Sequence, residues 1–295
     1  MSSRYSPKTA NWFFRSYLPQ IMLPVIGAVG PEQDAVGHAA QDKGMPATPM
    51  EDTVATFLFV PGAWHGGWAF DPLAGELTAR GHKVIAPDLP LGPQLPTLAG
   101  WARFIVRTAR ESGEKVVLAG HSRGGLVVSA AAELDPKAFE SLVYIAAFLV
   151  PDGRSAHQFL AATPRLEAFD RGLSVSEDGS FLILSQEAAV ASMAHRCATR
   201  YLEEFAPRLQ PDPIEPLTAV MALSAERFGS LQKAYVECTE DLALQTSIQR
   251  DMQVAQPCER VYSLVSDHTP MLSAIEPLAD ALDNWVSGMR SASAT

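Results

Sequence analysis

Val116-Val117-Leu118-Ala119-Gly120-His121-Ser122-Arg123-Gly124-Gly125 decides how this chain is read. A short apolar run ends in Gly-x-Ser-x-Gly and passes at once into a small-residue segment, Leu126 to Leu134, that reads as a helix. Strand, sharp turn and helix in that order are the context that makes the five-residue motif a nucleophile elbow. The turn is tight, so Gly120 and Gly124 must lack side chains. Ser122 is thereby pushed into a strained, exposed position at the carboxyl edge of a sheet.

The surroundings carry the rhythm that such an elbow needs. Ala55 to Val60 is a nearly continuous apolar run, as expected for a strand buried on both faces. Trp68 to Arg80 reads as a helix ending at Gly81, Lys83 to Pro87 as a strand, and Leu98 to Ser112 as a helix with Trp101, Ile105 and Ala109 on one face. Lys115 to Ala119 is the elbow strand, and Ser141 to Val150 is another apolar strand. This alternation predicts an α/β fold with a mostly parallel sheet covered on both faces. It stops at Pro151 and resumes at Lys233 to Cys238, followed by a helix over Leu242 to Met252, a strand over Arg260 to Leu264 and a helix over Glu276 to Gly288. The expected organisation is a core of residues 53–150 and 233–290, interrupted over 151–232 by a helical cap with helices at Gln186 to Thr199 and Ala219 to Phe228.

A serine hydroxyl needs an adjacent base, and the base an orienting acid. His268, in Ser266-Asp267-His268-Thr269-Pro270 just after the last strand, lies at the same sheet edge as Ser122 and is the expected base. Taken alone it would be a loop histidine bonded to backbone. The acid belongs between serine and histidine in chain order. Asp241 is preferred over its neighbour Glu240, with Asp152 third; each could also be an ordinary solvated loop carboxylate. A tetrahedral oxyanion needs preorganised N–H donors. The backbone N–H of Arg123, at a helix N-terminus, is one candidate. Ala63, in Pro61-Gly62-Ala63-Trp64-His65-Gly66-Gly67-Trp68, is the other, with Trp64 as alternative donor or pocket wall.

Composition narrows the partners. The 295 residues are 47% hydrophobic and 19% charged, with a net charge of −10, which argues against nucleic acid or an anionic membrane. Three cysteines show neither metal spacing nor a disulfide framework, and seven scattered histidines form no metal motif, so no metal is expected. Arg4, Lys8 and Arg15 precede an apolar stretch, Tyr17 to Val29, interrupted by Pro19, Gln20 and Pro24 and too short for a transmembrane helix. Residues 1–52 are read as an arm packing on the body or on a second subunit, with cytoplasmic residence; a secretory signal with export is the other reading. A homo-oligomer is compatible with the arm.

Four segments together carry a resemblance: Gly62-Ala63-Trp64-His65-Gly66-Gly67-Trp68, Gly120-His121-Ser122-Arg123-Gly124-Gly125, Tyr235-Val236-Glu237-Cys238-Thr239-Glu240-Asp241 and Asp267-His268. Over about Thr53 to Val286 the chain resembles the α/β-hydrolase superfamily, in the branch of plant methyl esterases, hydroxynitrile lyases and bacterial esterases that cleave pyrethroid or carbamate pesticides. The resemblance implies Ser122, Asp241 and His268 as the triad, Ala63 and Arg123 N–H groups as the oxyanion hole, and no cofactor. It implies a carboxylic ester hydrolase acting on a small-molecule substrate, with amide or carbamate hydrolysis and carbon–carbon cleavage as relatives of that chemistry. A ligand-binding protein with an inactive triad is the rival of another class.

Two departures matter. The family usually has His-Gly where this chain has Pro61-Gly62, and proline removes a donor there. Hydroxynitrile lyases of this branch carry a lysine directly after the catalytic histidine, where this chain has Thr269, which counts against cyanohydrin cleavage.

Other marked residues have plainer readings. His65 ties down its loop and His121 packs beneath the elbow. His157 and His195 are packing or surface residues of the cap, and the Arg123 side chain forms a salt bridge near the elbow. Trp64, Phe159, Phe181 and Met193, with Phe169 and Met221, are candidates for an apolar acyl pocket, although any cap must also bury a face on the core.

Overall fold

The computed structural model describes residues 54–92, 96–161, 167–197 and 199–293. The expected N-terminal arm, residues 1–52, lies outside the described residues. The core is a six-stranded sheet of β1 (Thr56–Val60), β2 (Lys83–Ile85), β3 (Val116–His121), β4 (Phe139–Ile145), β8 (Lys233–Cys238) and β9 (Arg260–Leu264). Its order is β2-β1-β3-β4-β8-β9 and every pairing is parallel. Parallel strands need crossovers, and the helices that make them cover both faces.

Strand alternation divides the interior. Phe57, Phe59, Val117, Ala119, Val143 and Ile145 face one cluster, packed by Leu73 and Leu77 of α1 (Asp71–Ala79) and by Leu278, Leu282 and Trp285 of α10 (Ile275–Ser293). Leu58, Val60, Leu118, Leu142 and Tyr144 face the other. There they meet Trp101 and Ile105 of α2 (Leu98–Glu111), Val127 and Val128 of α3 (Gly124–Leu134), and Ile248 and Met252 of α9 (Thr246–Ala255). Burying each face stabilises by roughly 25 cal/mol per Å² of apolar surface. Helix α2 starts where Thr97 caps it, its hydroxyl accepting from the Gly100 N–H at 3.1 Å.

The segment between β4 and β8 departs from the helical cap read in the sequence. It holds helices α4 (Ala156–Ala161), α5 (Glu167–Arg171), α6 (Gln186–Met193), α7 (Thr199–Phe205) and α8 (Glu215–Thr218). It also holds an antiparallel sheet of β5 (Leu173–Val175), β6 (Phe181–Leu184) and β7 (Asp212–Pro213). The β5–β6 hairpin turns at Asp178-Gly179. Gly179 sits at φ +75°, and the Asp178 carboxylate accepts the Ser180 N–H at 3.0 Å. Helix α6 stops at Met193, and the Arg196 N–H turns to Asp267 at 2.8 Å. The helix expected over Ala219 to Phe228 is absent. There the Leu223 and Ser224 N–H groups donate to the carboxylates of Asp152 and Glu133, at 2.7 and 2.8 Å, instead of to carbonyls one turn back. No helix among the described residues is long and apolar enough to cross a membrane.

Candidate active site

Parallel strands end side by side, so the loops after β1, β3, β8 and β9 gather at one carboxyl edge, the usual place for a site in an α/β sheet. Ser122 follows β3 at φ +51°, a left-handed conformation that costs a non-glycine residue on the order of 1–3 kcal/mol. Its peptide groups hold it there: the N–H donates to Ile145 O at 3.2 Å, and its carbonyl accepts from Gly125 and Phe148 N–H, both at 3.0 Å. A Cβ on Gly124 would lie 2.4 Å from Val60 O, and one on Gly120 2.6 Å from Val128 Cγ2, so the elbow admits only glycine at its flanks.

His268 lies in the loop after β9, and its Nδ1 is 2.6 Å from Asp241 Oδ2. Both are buried. With Nδ1–H donating to the carboxylate, Nε2 is left as the acceptor nitrogen. Asp241 is itself fixed: Oδ1 accepts the Ala243 and Leu244 N–H groups at 2.8 Å each, and Oδ2 accepts from Gln249 Nε2 at 3.0 Å. Gln249 takes the Cys238 N–H on its other end at 3.1 Å. Glu240 points elsewhere and pairs with Arg196 at the surface. Asp152 is engaged with Leu223 in the cap. Gln249 was not legible in the sequence, since its role depends on one helix face turning toward β8.

Ser122 and His268 line one cavity of about 720 Å³ of non-atom space, part of it open to solvent. Ala63, Trp64 and Arg123 border it from the core, and Phe169, Leu173, Leu182, Ile214 and Leu217 close it from the cap. Of the residues expected to line it, Phe159, Phe181 and Met193 do not. Phe181 and Leu182 alternate along β6, and the inward position belongs to Leu182. Leu160, not Phe159, borders the cavity from α4. Met193 packs into the core, and its carbonyl accepts the Thr269 hydroxyl at 3.0 Å. Met221 also lies away from this lining, whereas Phe169 and His157 belong to it.

The loop after β1 carries the expected donors. The Trp64 N–H is used by Asp212 Oδ1, at 3.3 Å, so Trp64 is a wall and not a free donor. Its φ of +63° is a second left-handed non-glycine residue at the site. A Cβ on Gly62 would meet Ser122 Cβ at 2.9 Å, which shows how closely the loop approaches the elbow. The Arg123 side chain is buried. Nη2 donates to Gly62 O at 2.8 Å and pairs with Asp212 Oδ1 at 3.0 Å, and the guanidinium stacks over Trp101, 4.3 Å from the ring centre. Burial lowers the Arg123 pKa and raises that of Asp212, each opposed by the partner's charge.

Two buried histidines underlie the site. His121 Nε2 donates to the His268 carbonyl at 2.7 Å, and His65 Nδ1 to the Ala63 carbonyl at 2.6 Å. Burial holds both neutral: it pushes His65 down to about 4 and His121 well below the ordinary imidazole value. Among the described residues no cluster of side chains could hold a metal ion.

Residues 57–281 match the alpha/beta hydrolase family, and the chain belongs to it. It is a carboxylesterase-type hydrolase. Salicylic acid-binding protein 2 of Nicotiana tabacum is 30% identical over 252 residues, covering 77% of this chain and 95% of that protein. Methyl jasmonate esterase 1 of Vitis vinifera is 27% identical over 246 residues, covering 76% and 94%. Among solved structures, polyneuridine aldehyde esterase superposes with a TM-score of 0.70 at 26% identity, covering 78% of this chain and 98% of that one. A pyrethroid hydrolase of Sphingobium faniae JZ-2 superposes at 0.71 with 23% identity, covering 79% and 97%, a likeness of fold.

Proposed function

We propose that this esterase works through an acyl-enzyme on Ser122 and takes a neutral, medium-sized, mainly apolar ester. The observation that carries this reading is the pairing of His268 with Asp241 at 2.6 Å, with His268 and the strained Ser122 lining the same apolar cavity. His268 Nε2 takes the Ser122 proton as Oγ attacks the ester carbonyl. The Ala63 and Arg123 N–H groups hold the oxyanion, where one such donor is worth about 10²–10³-fold in rate. Collapse breaks the acyl–oxygen bond, and the imidazolium returns the proton to the leaving alcohol. Water then enters, gives its proton to His268 and releases the acid, regenerating Ser122. Asp241 keeps the imidazole in the productive tautomer and balances its positive charge.

The cavity argues for substrate class. Its wall is mainly aliphatic and aromatic, with His157 and Thr218 among its polar residues. The charge of the guanidinium bordering it, that of Arg123, is already met by Asp212 and the face of Trp101, with Nε and Nη1 left without a partner among the described residues. A substrate carboxylate would therefore be desolvated without a counter-charge. The relatives' names add methyl esters as a class to try first. Thr269 is buried and bonded to Met193 and Asp267, so it offers no cation for a leaving cyanide.

The test is turnover of para-nitrophenyl esters of graded acyl length, beside methyl esters, anilides and carbamates of the same acids, by wild type and Ser122→Ala. Ester turnover lost in Ser122→Ala is expected, with an optimum at medium apolar acyl groups. A wild type inert on every ester, or a fully active Ser122→Ala, overturns the reading.

A further inference from the structure

We propose that the buried ion pair of Arg123 and Asp212 is a positioning device: it aims the Gly62–Ala63 peptide at the oxyanion and makes that aim depend on the cap being docked. The proposal rests on the reading of Ala63 as an oxyanion donor.

The argument starts from peptide geometry. The Gly62 carbonyl and the Ala63 N–H belong to one planar trans unit and point in opposite directions, so fixing one fixes the other. Arg123 Nη2 holds that carbonyl at 2.8 Å. The next peptide is held as well: its Trp64 N–H donates to Asp212 Oδ1 at 3.3 Å, and its Ala63 carbonyl accepts from His65 Nδ1 at 2.6 Å. The His65 N–H also donates to the Gly62 carbonyl, at 3.4 Å, so both peptide planes flanking the Ala63 Cα are pinned, two of the four contacts coming from the one ion pair.

Three further observations point the same way. Trp64 sits at φ +63°, a conformation that persists in a non-glycine residue only when its surroundings over-determine it. Those surroundings are the cap: Asp212 takes the Trp64 N–H, Gln210 N–H donates to its carbonyl at 3.1 Å, and the indole Nε1 donates to Leu182 O at 3.1 Å. Second, a buried ion pair is a poor way to stabilise a fold, and well-packed apolar groups in its place are often neutral or better. Keeping this one is explained by what it holds. Third, a cation on a peptide carbonyl polarises the whole amide and strengthens its N–H as a donor. That gain is largest where negative charge develops in the transition state.

The sequence offers a reason for the device. Pro61 has no N–H, so the loop has one donor fewer with which to anchor itself. Arg123, directly after the nucleophile, supplies that anchor from the other side of the elbow.

The test uses Arg123→Met, Arg123→Lys, Asp212→Asn and the double variant Arg123→Met/Asp212→Leu of the full chain. Three quantities are read: kcat and KM on the best para-nitrophenyl ester, affinity for a trifluoromethyl ketone of matching acyl chain, and hydrogen exchange of residues 58–68. Arg123→Met is expected to lower kcat about 30-fold with KM within about 2-fold, because a misaimed donor loses part of its full worth. Ketone affinity should fall in step with kcat/KM, and loop exchange should quicken while the sheet stays protected. Arg123→Lys should restore part of kcat. The double variant, which leaves no buried charge unpaired, should melt above Arg123→Met yet remain slow. A kcat within about 2-fold of wild type in Arg123→Met, or a loss of kcat that tracks melting temperature across the set, overturns the proposal. Were the wild type inert on esters and on the ketone, the hydrolase reading would fall. Loop exchange would still decide whether the pair holds the peptide, and unchanged exchange would reject it.

Discussion

The two walls of the cavity are built differently. The core wall is made of backbone and hydrogen bonds: an elbow flanked by two obligatory glycines and held by three backbone hydrogen bonds, a carboxylate with four donors, and two neutral histidines clamped to carbonyls. The cap wall is mostly apolar side chains, Phe169, Leu173, Leu182, Ile214 and Leu217, with His157 and Thr218 beside them. Directional bonds fix atoms to within a few tenths of an ångström, which charge development demands. Apolar contact is non-directional and scales with area, so it sorts acyl groups by size. Damage to the core wall, or to the Asp212 contact that braces it, should therefore appear in kcat, and damage to the apolar lining of the cap in KM and chain-length preference.

The largest break is at the elbow. Ser122→Ala should lose about 10⁴-fold or more in kcat with the fold intact, as checked by steady-state kinetics and circular dichroism. Asp241→Asn comes next, at about 10³–10⁴-fold, because an amide can leave His268 in the wrong tautomer. Gln249→Leu should cost less, about 10-fold in kcat, since it removes one of four donors on Asp241 and strands the buried Cys238 N–H. A Gln249→Leu enzyme slowed as much as Asp241→Asn would mean that the carboxylate's orientation rests on this one amide.

The same division governs what the sequence discloses. Core strands β8 and β9 are legible to the residue, because buried parallel strands are continuous apolar runs bounded by turn residues. Ser122, Asp241 and His268 follow from position at strand ends in chain order. The cap hides more. The alternation Leu173-Ser174-Val175 and Phe181-Leu182-Ile183-Leu184 about Asp178-Gly179 was a readable hairpin signal, overshadowed by the alanine-rich composition around it. Which of Phe181 and Leu182 faces inward depends on register against β7, a short strand that no local pattern marks. The Arg123–Asp212 pair joins residues 89 positions apart, and long-range side-chain pairs leave no trace in periodicity.

The cap side of the comparison is sharpened by Leu217, half-buried at the cavity wall on α8. Leu217→Ala should move the acyl optimum to longer chains and Leu217→Phe to shorter ones. Each is expected to change KM for a given ester by up to about 10-fold, the worth of one methylene in an apolar pocket, with kcat held within about 3-fold. A kcat collapse in Leu217→Ala with KM unchanged would place the apolar lining of the cap in the chemical step and dissolve the distinction between the walls.

The smallest effect belongs to the neutral histidines, and it is on stability. His65 is buried with a pKa lowered from 6.5 to about 4, chiefly by burial. The unfolded chain takes up this proton near 6.5 and the folded one only near 4, so between those values the unfolded state holds more protons. Stability from this group is thus complete above about 6.5 and is lost as pH falls toward 4, with a slope of up to about 1.4 kcal/mol per pH unit. His121, lowered in the same direction, steepens the fall. His65→Gln can keep a donor near the Ala63 carbonyl but cannot titrate. Urea melts at pH 7 and pH 5 should show wild type losing more stability than His65→Gln over that interval. Equal losses would mean that His65 takes up its proton in the folded state without penalty, and that the core wall tolerates a charge its hydrogen bonds are arranged to exclude.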